Sequence, residues 1–155
     1  MNGAGYAIPA AVLAAVTAAA NPDGAALTRL GLAGEWAVDC RQAISDANPH
    51  VTFATSDAAP GDQSPRYIES GPNGAVGTAS IGNIRALAGG QISLTMTVTQ
   101  NLGGESAKIV MDNVLIKDGN RFRFLEVKAN GQASVSGGIT KANGEATQWL
   151  QRCGG

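Results

Sequence analysis

The side chains in this 155-residue chain whose type and spacing could do chemistry are few: two cysteines, one histidine, a pair of arginines and a pair of carboxylates. Asp112 lies inside the apolar run KIVMDNVLIK and Glu126 inside RFRFLEVK. Facing inward from adjacent strands they would form a carboxylate pair suited to general acid/base work. The plainer reading has each facing solvent or pairing with Arg121, Arg123 or Lys128, because an unpaired charge buried in so small a core is costly. Arg121 and Arg123 are two apart, hence on one strand face, with Phe122 and Phe124 on the other. That is first a solvated face over a core face; a second reading is an anion site, since two guanidiniums ~7 Å apart can hold a carboxylate or phosphate. His50 is alone, so no Ser-His-Asp triad and no His-rich metal site can be assembled in one chain, and beside Pro49 it reads as an ordinary strand-edge side chain. Cys40 and Cys153 lack CxxC spacing, so neither a metal nor a cofactor is expected; they are either a disulfide or two buried thiols. Arg66, Tyr67 and Glu69 fall beside a loop and belong to a binding rim on position alone.

The elements that must position these groups are β-strands. In Gly34 to Cys40 (GEWAVDC), period 2 puts Trp36, Val38 and Cys40 on one face; in the closing run Trp149, Gln151 and Cys153 share a face. These are read as first and last strands, stapled to each other. Between them, QISLTMTVTQ sets Ile92, Leu94, Met96 and Val98 against a threonine face, the pattern of a half-buried strand. Asp118-Gly119, Asn130-Gly131 and Asn143-Gly144 separate further β-prone runs and predict consecutive meander turns. Ala75 to Leu87 is ambiguous, because Ile81, Ile84 and Leu87 at spacing three also fit a helical turn. The expected fold is all-β: a small antiparallel up-and-down β-barrel of about eight strands over 34–155, with a short helical segment over 21–33 before it.

Composition agrees. Charged residues are 15% of the chain and glycine occurs 21 times, which suits a turn-rich β protein. A net charge of -1 offers no basic stripe for nucleic acid. Residues 1–20 contain the apolar run AIPAAVLAAVTAAA, ending in a small-x-small pattern. They are read either as a signal peptide, although no Lys or Arg precedes the run, or as an Ala-rich helix on the domain; the run is too short for an ordinary membrane span. Export and a structural disulfide support each other, because the bond needs an oxidising compartment, so a periplasmic or secreted protein is expected.

Gly34-Glu35-Trp36 on a first strand after a helical turn resembles the GxW signature of the calycin superfamily, the lipocalins and avidins, and is similar to the small bacterial barrels that inhibit secreted metalloproteases. In lipocalins an arginine near the final strand packs across that tryptophan, and Arg152 stands where it is expected. The resemblance implies a barrel and a non-enzymatic binding role. The chain is shorter than most lipocalins and shows no helix after Cys153. The leading expectation is a binding protein holding a small apolar or amphipathic molecule, lined by Val38, Ile92, Leu94, Met96 and Val98 with Arg121 and Arg123, and with Gly34, Trp36, Trp149 and Arg152 as structural residues. One alternative is a protein-binding or inhibitor module, with an unknown partner protein; another is a small enzyme working through carboxylates.

Overall fold

The computed structural model describes residues 22–55 and 64–154; the signal-peptide or Ala-rich-helix reading of 1–20, and most of the loop expected over 57–65, lie outside the described residues. A helix α1 (Pro22–Arg29) opens the domain. Proline suits its first turn, where an amide donor has no partner in any case. Ten strands follow: β1 (Gly34–Ala37), β2 (His50–Ala54), β3 (Arg66–Gly71), β4 (Gly74–Ala86), β5 (Gln91–Leu102), β6 (Glu105–Asp118), β7 (Arg121–Ala129), β8 (Gln132–Ser136), β9 (Ile139–Thr140) and β10 (Leu150–Arg152). Each pairs antiparallel with the next from β1 to β9, and β10 inserts between β1 and β7. The result is a closed eight-stranded antiparallel barrel of β1–β7 and β10, with the β8–β9 hairpin outside the ring.

The turns at Asn130-Gly131 and Asn143-Gly144 bracket one β-prone run, Gln132–Thr140 (QASVSGGIT), which reads as a single strand. Instead Gly137 and Gly138, at φ 59 and 76, turn the chain back on itself and split that run into β8 and β9. An L side chain is strained in that conformation, so this pair of glycines is what removes the hairpin from the ring. The first strand is also shorter than the alternation suggested, ending at Ala37. The ambiguous stretch over 75–87 is strand: β4 carries a bulge between Gly82 and Arg85, with Asn83 at φ 54. One extra residue shifts the period, so Ile81 and Ile84 both meet the core despite being three apart.

One end of the barrel is plugged. Trp36, Phe53 and Phe122 are fully buried, with Phe122 edge-on to both other rings at 5.0 and 5.6 Å, and Leu27 of α1 and Leu32 close over them. Trp36 Nε1 donates to the carbonyl of Leu32 (2.8 Å), fixing the entering chain across the plug. On the other side Arg152 lies over the Trp36 ring, 5.8 Å from its centroid, and its Nη2 donates to the carbonyl of Ala33 (2.7 Å). Gly34 sits at φ 123, and a Cβ there would come within 3.3 Å of Arg152 Nη2. The glycine, tryptophan and arginine of the sequence pattern are thus one packing unit.

Candidate functional site

The end opposite α1 is open. Antiparallel pairing sets Val51 across from Glu69 and Phe53 across from Tyr67, so the inward face of β2 and β3 passes from the aromatic plug to a polar rim within a few residues. Tyr67 packs its edge on Phe53 (5.5 Å between centroids). Tyr67, Glu69, Val51, Phe124, Leu150 and the segment 145–148 surround a recess of about 450 Å³. The segment is held over the mouth by Thr147, whose Oγ1 donates to the Phe124 carbonyl (2.6 Å) and whose amide donates to that of Gly138 (2.8 Å). An apolar wall with a few convergent polar groups is the ordinary constitution of a small-molecule site.

Burial, and secondarily the negative charge of Glu69, push the Tyr67 phenol above its ordinary value of 10.0. A raised value means that the unfolded chain releases this proton first. The contribution to stability is complete below pH 10 and is lost as pH climbs above it. Denaturant midpoints measured from pH 9 upward should therefore fall more steeply for the wild type than for Tyr67→Phe; parallel curves would show that the phenol is solvated.

The residues expected to line a cavity are placed differently. Ile92, Leu94 and Met96 are buried in the packed core, and Val38 and Val98 pack against it, so they fill the barrel rather than face the recess. Arg121 and Arg123 lie on the outer face, stacked on Trp149 at 4.6 and 5.1 Å, and Arg121 also pairs with Asp118 (2.7 Å). Asp112 and Glu126 line a groove of about 310 Å³ on the outer face of β4–β7, together with Arg85 and Lys128. Asp112 accepts from Thr95 Oγ1 (3.3 Å) and Glu126 from the amide of Gly137 (2.7 Å). Tyr67 and Glu69 were singled out by loop position alone; Phe124 was legible only as core, and Leu150 was not singled out at all.

A second constellation sits on the outside of β1 and β2, under the segment from Val38 to Pro49. Asn48 is buried and clamps that segment: its Oδ1 accepts from the amide of Asp39 (2.9 Å) and its Nδ2 donates to the Asp39 carbonyl (3.0 Å). The Asp39 carboxyl, held by the amide of Arg41, lies below the usual carboxylate range. Cys40 at the segment's tip is bonded to Cys153, with Cα atoms 5.4 Å apart, so the two cysteines are the disulfide and not two thiols. Beneath it His50 is buried rather than at an open edge, its Nδ1 2.5 Å from Glu35 Oε1. Its Nε2 lies 3.5 Å from Asn48 Nδ2. A ring nitrogen of His50, a carboxylate oxygen of Glu35 and the sulfur of Cys153 all lie within 4.8 Å of one another. Sequence spacing hid this cluster, since only the register of β1 on β2 and the path of the loop bring the three together.

No family model, no curated protein and no solved structure matches this chain. The reading of its function therefore rests on the geometry above. Among the described residues no helix is long and apolar enough to cross a membrane.

Proposed function

We propose that this barrel is an exported, non-enzymatic binding module of calycin-like form that takes a small amphipathic molecule end-on at its open mouth. The observation that carries the reading is the recess itself, apolar at Val51, Phe124 and Leu150 and polar at Tyr67 and Glu69. The Tyr67 hydroxyl offers a donor and acceptor and Glu69 an anionic acceptor, so the best ligand has an apolar body and a hydrogen-bond-donating or cationic head. The plugged end makes the site a shallow cup with one opening, which suits a carrier or sensor better than a channel. The disulfide fits an oxidising compartment, and the arginine over Trp36 supports the calycin comparison.

Native mass spectrometry of the protein purified from its own host should show a discrete small-molecule adduct. Titration with dansyl-alkylamines should saturate, and Glu69→Gln should weaken that binding about tenfold or more, the scale of a hydrogen bond to a charged group. A clean apo mass together with no saturable binding of the amines would instead favour a protein-binding or inhibitory role for the same open-end loops.

A further inference from the structure

The cluster beneath the disulfide has the donor set of a metal site with two of its ligands tied to each other. We propose that reduction of the Cys40–Cys153 bond converts it into a tetrahedral site for a divalent transition metal of the Zn²⁺ class, with Cys40, Cys153, His50 and Glu35 as ligands. Cys40 is bonded to Cys153, and Cys153 Sγ is itself within 4.8 Å of the donor atoms of His50 and Glu35. Bonds of about 2.3 Å to sulfur and about 2.0–2.2 Å to nitrogen and oxygen require donor–donor separations of about 3.3–3.8 Å. Among Glu35, His50 and Cys153 the longest separation must therefore close by at most about 1 Å, the 2.5 Å Glu35–His50 contact must open by about as much, and the two sulfurs, freed by reduction, must part to about 3.8 Å. Both sulfurs are on chain that can adjust, Cys40 in the loop after β1 and Cys153 just past β10, whereas His50 is held in β2.

Oxidised, the sulfurs are poor donors and only a carboxylate and an imidazole remain, too few for tight tetrahedral binding. A dithiol that delivers two electrons and two protons cleaves the S–S bond to two thiols and becomes a disulfide itself. The metal then displaces the two thiol protons, as thiolate ligation requires. Asn48 Nδ2 is committed to the carbonyls of Asp39 and Gln42 at 3.0 and 3.3 Å and approaches the other ring nitrogen only at 3.5 Å, so it does not lock the ring. Half the Glu35 side chain is exposed, which gives the ion a way in from solvent. The expectation from sequence that no metal would bind rested on one histidine and the absence of CxxC spacing; a four-ligand site needs neither when the ligands come from three separate parts of the chain.

The test is Co²⁺ titrated into protein reduced with a dithiol and freed of it by gel filtration without oxygen. Reduced wild type should develop thiolate-to-cobalt charge transfer and the intense visible bands of tetrahedral Co²⁺, both displaced by Zn²⁺, while oxidised protein shows neither. His50→Ala and Glu35→Gln should each weaken Co²⁺ binding about tenfold or more. Circular dichroism establishes that each variant is folded; if His50→Ala is not, the half-exposed Glu35→Gln decides. Absence of the bands in reduced wild type overturns the proposal. So does unchanged affinity in Glu35→Gln, because two thiolates on a loosened chain would then account for the metal alone.

Discussion

Cys40→Ser should lower the melting temperature on the order of 15 °C under oxidising conditions, and wild type and variant should melt together once reductant is present. The bond spans 113 residues, and closing a loop of that length removes conformational entropy from the unfolded chain equivalent to about 4 to 5 kcal/mol. The native state adds a local reason for a large effect. β10 is three residues long and has the whole task of joining β1 to β7. Next to it the Cys153 amide donates to the Glu35 carbonyl (2.8 Å), and Gln151 Nε2 reaches the Val38 carbonyl (2.9 Å). Without the covalent link, so short a strand is held by a handful of hydrogen bonds and the anchor of Leu150. Differential scanning calorimetry with and without reductant separates the cases. Equal melting in both conditions would show that barrel closure does not depend on the staple.

Trp36→Ala should cost about 3 to 5 kcal/mol in a denaturant titration. The ring is fully buried, meets Phe122 edge-on, and carries an indole donor satisfied by Leu32. Its removal leaves a void under α1 and also strips the surface on which the Arg152 guanidinium rests. Trp36→Phe should recover part of the loss, because it restores volume but not the hydrogen bond to Leu32. A cost below about 1 kcal/mol for the alanine variant would place the ring outside the packed core.

The barrel was legible because its evidence is local. Alternation in β5 shows which face is core, and Asn-Gly and Asp-Gly pairs announce the turns that join β6, β7 and β8. Gly34, Trp36 and Arg152 were readable as a unit because their types are so specific to a packed strand end. What escaped was whatever depended on register or on irregular backbone. The bulge at Asn83 makes a strand look helical in spacing. Two glycines at 137 and 138 remove a hairpin from a ring that the turn count alone would have included. The candidate site was less legible still. Val51, Tyr67, Glu69, Phe124 and Leu150 come from four strands, and nothing along the chain distinguishes an inward residue at the mouth from one in the plug. Thus Ile92, Leu94 and Met96, with the cleanest apolar pattern, proved to be filling. His50 was misread for the same reason: its burial comes from a loop folded back over the outside of the sheet, and that path is set by Asn48 and the disulfide rather than by strand periodicity.

The insertion of β10 between β1 and β7 also governs how the molecule is made. Until Leu150–Arg152 leaves the ribosome, the nascent sheet is an open ribbon with two unsatisfied edges, and no amount of earlier hairpin formation can seal it. The pairing of β1 with β10 joins the most sequence-distant parts of the fold, so closure is a late, high-contact-order event. A chain that cannot complete itself early keeps both edges of its sheet open until its last residues are made.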